Sequence, residues 1–291
     1  MSTELPILKS SACPVCGSNK TIELFELESP YIAGLFYQIR CCDSCSHRYA
    51  TGPLSEQILS KVYGEAFHAT SQQQAYKRSS AVILNVTRRS QWLRDLGLQG
   101  KLLDVGAGRG YFVKAAQRFF EARGIDYSPN AREYGKALGI VLDSGDFLRT
   151  PYESAFDVLT FWDVLASMVD VRATMARAAT LLRSGGHAVF TVPMGDSLAC
   201  RFSGRRWPLW IPPVNLHYFS KESLCCLFEE AGFEIIDMQC RAKLVSLDFL
   251  FVKLARSLNL RKLERAIAQI PLKWAVPINL GDIQTILVRK V

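Results

Sequence analysis

Residues 102–110, Leu-Leu-Asp-Val-Gly-Ala-Gly-Arg-Gly, set an apolar run directly against three glycines at alternate positions, and a helical pattern follows. A buried strand ending in such a turn brings bare backbone to the edge of a sheet, where a ligand can approach it closely. The surrounding chain repeats the alternation. KLLDVG, EARGIDY, IVLDSG, FDVLTFWDV and HAVFTVP read as strands, and FVKAAQRFFEA, NAREYGKALG and VRATMARAATLLR as helices. Strands alternating with helices of about 10–15 residues build a parallel, doubly wound α/β sheet. SKESLCCLFEEAGFEIID adds a helix–strand pair with Ser220 as N-cap, and IQTILVRKV reads as a closing strand.

The charges around the glycines narrow the ligand. A nicotinamide-dinucleotide fingerprint reads GxGxxG, but here position 111 is Tyr and the third glycine is Gly110. Asp104, two residues before Gly106, would repel a pyrophosphate. It suits a ligand with an ammonium group, such as the methionine end of S-adenosylmethionine (SAM). Asp126 ends the next strand, twenty residues after Gly106, where a carboxylate can accept both hydroxyls of a ribose. Asp146, in Ser144-Gly145-Asp146-Phe147, ends the third strand and can accept an adenine amino group with Phe147 against the ring. Each acid alone reads as a strand-end or helix-cap residue. Three at successive strand ends, around one glycine loop, form a constellation.

DVGAGRG, Gly124-Ile125-Asp126, SGDF, LLRSGGHAVFTVP and PINLGDIQTILVRK resemble the motifs of class I SAM-dependent methyltransferases over roughly residues 95–291. The resemblance implies a seven-stranded, mostly parallel Rossmann-like sheet with helices on both faces and a final antiparallel strand. It implies that Gly106, Gly108 and Gly110, with Asp104, hold the amino-acid part of SAM. Asp126 would then take the ribose, and Asp146 with Phe147 the adenine. Tyr127 joins the cofactor-binding set, and Trp162 and Asp163 would line the methyl-transfer cleft. Many relatives carry Glu-His after the fourth strand, where this chain has Ala166-Ser167.

Cys13-Pro-Val-Cys16-Gly and Cys42-Asp-Ser-Cys45 are two CxxC knuckles separated by 25 residues. Two such pairs offer four soft ligands in tetrahedral array, the signature of a structural zinc ribbon, and four ligands leave no open catalytic position. Cys41 competes with Cys42, but the CxxC spacing favours Cys42. Cys200, Cys225, Cys226 and Cys240 lack metal spacing.

With 49% hydrophobic and 21% charged residues, the 291-residue chain has globular composition, which excludes a disordered, collagen-like or coiled-coil protein. The expected organisation is a zinc ribbon over 1–52, a helical linker or cap over 53–98 carrying Tyr63, Phe67 and Tyr76, and a methyltransferase domain over 99–291. The N-terminus lacks the features of a signal peptide and no apolar run is long enough to span a membrane, so a cytoplasmic location is expected. Within the main domain, 194–219 reads as a substrate loop and 241–265 as a basic helical insert with seven basic and two acidic residues.

In that loop, Arg205 and Arg206 suit a phosphate-bearing substrate by charge and Trp207 by stacking, with Tyr218 beside them. His217 is the candidate base, with Asp163 as the other catalytic candidate. His187, His47 and His68 read as structural or weaker. The two knuckles, Gly204-Arg-Arg-Trp207, Pro212-Pro-Val-Asn-Leu-His-Tyr-Phe-Ser220 and Ala231-Gly232-Phe233 resemble bacterial methyltransferases linked to sugar and cell-surface polysaccharide chemistry. That resemblance implies a small-molecule acceptor, a hydroxyl or carbon of a sugar or cell-envelope precursor.

The net charge of +8 keeps other partners in view. One alternative is an rRNA or tRNA methyltransferase that binds RNA through the ribbon and the basic face; Trp162-Asp163-Val164-Leu165 departs from the Asn/Asp-Pro-Pro-Tyr/Phe run of amino-methylating RNA enzymes. Another is a catalytically silent zinc and SAM-fold interaction protein. Segment 241–265 could also make a peripheral membrane contact.

Overall fold

The strands that read as near-continuous apolar runs form the centre of a sheet, where both faces are covered. A computed structural model describes residues 12–63, 80–152, 155–247 and 274–291 of the chain. Phe67, His68 and Tyr76 of the linker, and 248–265 of the basic insert, lie outside the described residues. The main sheet has seven strands: β4 (Lys101–Val105), β5 (Glu121–Asp126), β6 (Leu142–Ser144), β7 (Phe156–Phe161), β8 (Leu182–Pro193), β10 (Phe233–Gln239) and β13 (Ile283–Lys290). Their order across the sheet is β10-β13-β8-β7-β4-β5-β6. From β8 to β6 every neighbour is parallel, and β13 runs antiparallel to both β8 and β10. This is the expected Rossmann-like methyltransferase sheet with its late reversed strand.

Two apolar cores sandwich the sheet. On one face Phe161, Phe190 and Phe228 stack in series, with α5 (Val171–Leu181) and α7 (Lys221–Glu230) above them. On the other, α2 (Ser80–Asp95) and α3 (Tyr111–Ala116) contribute Leu93, Phe112 and Val113 against Leu102, Val158 and Trp162. Ser220 caps α7 in a reciprocal capping box with Ser223, as its sequence suggests. The helix expected through residue 122 ends at Ala116, and α4 (Ala131–Leu138) closes on Gly139 in the left-handed conformation.

The ribbon is not a separate bead. Its hairpin strands β1 (Thr21–Glu28), β2 (Phe36–Cys42) and β3 (Arg48–Thr51) lead into α1 (Glu56–Tyr63). The fourth strand of their antiparallel sheet is β9 (His217–Tyr218), supplied by the main domain. A third core forms at this junction from Tyr37, Ile39, Ala50 and Leu54 on the ribbon side. Cys200, Trp207, Trp210, Leu216 and Tyr218 complete it from the other.

This junction corrects the expected substrate loop. Trp207 is 2% exposed, donates its indole N–H to Asp282 Oδ2 at 3.0 Å and packs edge-on to Trp210, so it offers no face for stacking a substrate. Tyr218 is fully buried and its hydroxyl donates to the Asn215 carbonyl at 2.8 Å. Arg205 donates to the Glu26 carbonyl and lies over Phe25, bracing β1. Arg206 is exposed in the 3-10 turn Gly204–Arg206, on the same junction. Aromatic residues that look like a binding loop in sequence are here the glue between two sheets.

Candidate cofactor and acceptor site

The carboxyl ends of β4, β5, β6 and β7 point to one edge of the sheet, and the glycine loop crosses it. Gly106 and Ala107 both donate to the Ile125 carbonyl, at 2.8 and 3.0 Å, which folds the loop back over β5. Gly106, Gly108 and Gly110 all have φ between 55° and 79°, the left-handed region where a side chain is strained. A Cβ at Gly106 would lie 2.4 Å from Val164, and one at Gly110 the same distance from Ile140, so these two glycines serve close packing. At Gly108 nothing stands within 4 Å of that position. The loop therefore faces open space at its middle glycine, where a ligand can approach the backbone.

Asp126 holds this glycine. Its Oδ2 accepts the Gly108 N–H at 2.7 Å and its Oδ1 the Ser128 N–H at 2.9 Å, which fixes the carboxylate while leaving lone pairs on both oxygens. Asp104 lies beneath, buried, accepting the Thr160 hydroxyl at 2.6 Å. Burial pushes its carboxyl up to about 7 against the pull of the Thr160 hydrogen bond and of Arg89, with Asp126 adding to the rise. Asp146 turns one oxygen to the Leu148 N–H at 2.9 Å and keeps a partly exposed carboxylate at the end of β6. Tyr127 is 53% exposed at the same edge. Phe147 departs from expectation. It is buried and edge-on to Phe161 at 5.6 Å, so its ring belongs to the core rather than to an adenine.

Trp162 and Asp163 follow β7 into a wall that spacing in the sequence does not reveal. Trp162 is buried edge-on against Phe112, with Arg89 of α2 over its ring at 4.4 Å. Its indole N–H has no partner among the described residues. Asp163 adopts φ 62°, held by its N–H on Thr191 Oγ1 and by the Thr191 hydroxyl on its own Oδ1. Arg89 reaches Asp163 Oδ2 at 3.2 Å and Lys243 reaches it at 3.1 Å. Burial opposes the charge, but Lys243 and Arg89 outweigh it and hold this carboxyl well below the usual carboxylate range. Such a carboxylate takes a proton poorly, which argues against Asp163 as a general base.

Lys243 comes from β11 (Lys243–Ser246), paired with β12 (Ala275–Ile278) in a small two-stranded cap. Asn85 of α2 clasps that cap through two hydrogen bonds to the Leu244 backbone, at 2.8 and 2.9 Å, and Arg241 lies over Trp92 at 4.2 Å. Arg89, Thr191 and Lys243 are thus the site residues that sequence reading missed. They lie far apart in the chain, and nothing in their local pattern distinguishes them from surface or strand residues.

His217 lies elsewhere. It is fully buried on β9; its Nε2 meets the Met168 carbonyl at 2.9 Å and its Nδ1 meets His47 Nε2 at 3.1 Å. A carbonyl can only accept, so Nε2 carries the proton and Nδ1 accepts from His47. Burial holds its pKa near 4, opposed by the Met168 carbonyl. With both nitrogens engaged and no exposed surface, the ring is a brace between ribbon and domain, not a base. His217→Ala should cost about 3 kcal/mol, since it leaves the buried His47 N–H and Met168 carbonyl unpaired beside a cavity. Turnover per folded molecule should change less than about threefold, whereas loss of a general base costs about 100-fold or more. Thermal unfolding and kcat measured on one preparation separate the two.

At the ribbon, Cys13, Cys16, Cys42 and Cys45 bring all four sulfurs within 4.8 Å of one another, with Cys13–Cys45 at 3.7 Å and Cys16–Cys42 at 3.6 Å. A tetrahedral zinc with bonds of about 2.3 Å requires sulfurs about 3.8 Å apart. Gly17 and Ser46 take positive φ and donate back to the Cys13 and Cys42 carbonyls, so both knuckles turn alike. The cluster fits a closed, four-thiolate site, and Cys42 rather than Cys41 belongs to it.

Residues 74–238 match a protein family described as a methyltransferase domain. Over 155 residues, 47% of this chain and 65% of the relative, the sequence is 30% identical to a ubiquinone biosynthesis O-methyltransferase of Saccharophagus degradans. The chain thus spans just under two thirds of that relative's length. It is 27% identical over 176 residues to a demethylmenaquinone methyltransferase of Staphylococcus aureus, covering 50% of this chain and 73% of that one. Among solved structures, the fold is similar to magnesium protoporphyrin IX methyltransferase from Synechocystis PCC 6803, with a TM-score of 0.52, 14% identity and coverage of 81% of this chain and all of that one. A methyltransferase from Bacillus halodurans, described as putative, gives a TM-score of 0.50 at 16% identity, covering 70% and 98%.

Proposed function

The chain belongs to the methyltransferase-domain family, and from that membership we propose that it transfers a methyl group from SAM to a small molecule whose accepting hydroxyl or carbon is acidic. One observation carries the reading: Gly108 faces open space with its N–H on Asp126, at the sheet edge where Arg89 and Lys243 converge on Asp163. Asp126 suits the ribose hydroxyls, Asp104 the ammonium end, and Tyr127 with Asp146 the adenine. Bound SAM supplies an electrophilic sulfonium methyl. The chain's own task is to align the acceptor behind it and to stabilise the charge that the acceptor must bear.

The acceptor class follows from proton chemistry. Among the described residues, His217 and Asp163 are both unsuited to removing a proton. With neither group able to take the proton, the acceptor must ionise on its own, beside the cluster in which Arg89 and Lys243 hold Asp163. A phenol or quinol ionises more readily than a sugar hydroxyl, and its anion can be methylated on oxygen or on a ring carbon. A carbon beside a single carbonyl is a weaker acid than that hydroxyl. A sugar or cell-envelope precursor joins the class where two carbonyls activate the same carbon. The motifs that carry the carbohydrate resemblance, Trp207 and 212–220, lie at the ribbon junction and give no acceptor contact to the argument. The names of the quinone-pathway relatives fit the same class. Among the described residues no helix is long and apolar enough to cross a membrane.

The test is methyl transfer from labelled SAM to a panel of a catechol, a demethylated quinol, a keto-sugar nucleotide, an unmodified sugar nucleotide and total RNA. Transfer to the acidic acceptors is expected. Transfer confined to the sugar nucleotides or RNA would overturn the proposal.

We also infer one structural zinc on Cys13, Cys16, Cys42 and Cys45, which leaves no open coordination position for chemistry.

Asp104 gives the cofactor site a pH signature. Its value in the folded free protein, about 7, exceeds the ordinary 3.8, so the protonated form is favoured and a stability penalty accumulates as pH rises from about 4 to 7. An ammonium ligand favours the carboxylate and must expel that proton. SAM affinity should therefore rise between pH 6 and 7.5, by up to about tenfold, and then level off. Titration calorimetry in buffers of different ionisation enthalpy reads the proton release directly, and Asp104→Asn should abolish it.

A further inference from the structure

Large apolar side chains scattered singly over a surface need no explanation, whereas their grouping does. Apart from the terminal Val291, the four most exposed large apolar residues among those described are Phe202 (87%), Trp274 (77%), Leu198 (67%) and Leu280 (65%). Leu198 and Phe202 stand one turn apart on α6 (Leu198–Ser203), which leaves the carboxyl end of β8. Trp274 and Leu280 bracket β12, on the segment that enters β13.

Those two segments meet. Ile283, the first residue of β13, pairs with Pro193, the last of β8; Met194 donates its N–H to the Asp282 carbonyl at 2.8 Å, and Trp207 to its carboxylate. Leu198 and Phe202 of α6 and Leu280 therefore lie on segments that meet at one end of the β8–β13 pair, and Trp274 stands beyond them at the outer end of β12. That end of the pair is the one where Thr191 of β8 holds Asp163, and where β12 pairs with the strand bearing Lys243. Beside them, Arg201, Arg205 and Arg206 are exposed, against one acid, Asp196, between residues 194 and 207.

We propose that this edge docks on an anionic phospholipid surface, with Leu198, Phe202, Trp274 and Leu280 entering the headgroup boundary and Arg201 and Arg206 facing the lipid phosphates. Aromatic and leucine side chains flanked by arginine are the residues that gain from such an interface, because the apolar part leaves water while the guanidinium keeps an anionic partner. A protein partner would have to cover two separate loops with both apolar and cationic groups, and a bilayer does so without a matching shape. Docked this way, the sheet edge that bears Asp163 faces the membrane, so that a lipid-soluble acceptor reaches it without crossing water.

The test is co-sedimentation of the full chain with vesicles of equal parts phosphatidylglycerol and phosphatidylcholine, and with phosphatidylcholine alone. Retention on the anionic vesicles and little on the neutral ones is expected. Leu198→Ser/Phe202→Ser and, separately, Arg201→Glu/Arg206→Glu should each weaken binding by about tenfold or more. SAM titration of each variant checks that it is folded. No retention on anionic vesicles, equal retention on both kinds, or binding unchanged in the folded variants would overturn the proposal, the last moving the contact to another surface such as 241–265. Vesicle binding needs neither SAM nor acceptor, so its failure leaves the methyl-transfer reading untouched.

Discussion

Stripping the metal from the purified chain should unfold the ribbon and expose its shared core. A structural zinc on four thiolates contributes on the order of 10 kcal/mol to the fold that holds it. The ribbon has little else, since its apolar face is completed by Trp207, Trp210, Leu216 and Tyr218 of the main domain. Two buried tryptophans in that core make the event visible. Chelation, or Cys42→Ser, should shift tryptophan emission to the red and lower the unfolding temperature by well over 10 °C, a loss of at least about 3 kcal/mol on a domain of this size. Cys13, Val15, Cys42 and Cys45 also share a core with Leu103 and Val105 of β4, Ile125 of β5 and Phe161 of β7, so SAM affinity should fall along with the ribbon's stability. Metal analysis that finds no zinc, or an emission spectrum indifferent to chelator, would remove the zinc from the account.

Asp126→Ala should abolish measurable SAM binding while leaving the chain folded. The substitution removes a carboxylate that holds the Gly108 N–H at 2.7 Å and has lone pairs left for two ribose hydroxyls. Hydrogen bonds to a charged group contribute about 1.5–3 kcal/mol each, so losing two weakens binding by at least a hundredfold. Asp126→Asn keeps one carbonyl acceptor and should lose less. Asp146→Ala should also lose less, because its carboxylate is 39% exposed and competes with water. Titration calorimetry of the three variants gives this order, and a flat series would place the ribose elsewhere.

What could be read from sequence was local. The glycine loop, the acids at the ends of β4, β5 and β6, and the two CxxC turns each lie within a few consecutive residues, so their geometry follows from their spacing. Alternation alone gives a parallel, doubly wound sheet; its seven strands and the reversed last one come from the resemblance that these motifs carry. What could not be read depends on partners far along the chain. His217, Tyr218 and Trp207 carry the residue types of a binding loop. Only the pairing of β9 with β3, across 170 residues from His47 to His217, turns them inward. Phe147 follows an acid at a strand end, as an adenine neighbour would, but alternation along the turn directs it to Phe161. Arg89, Thr191 and Lys243 converge on Asp163 from a helix, a central strand and the cap, a meeting that no window of sequence contains. The residues assigned by composition of a loop turned inward, whereas Asp126 and Asp146 keep partly exposed positions at the sheet edge.

The most direct test of the account is a calorimetric titration of the folded, zinc-loaded wild-type chain with SAM at pH 7.5. One site per chain, of micromolar affinity and accompanied by proton release at lower pH, is the expected result. A folded chain that gives no heat with SAM or S-adenosylhomocysteine would contradict the cofactor site, and with it the proposed methyl transfer.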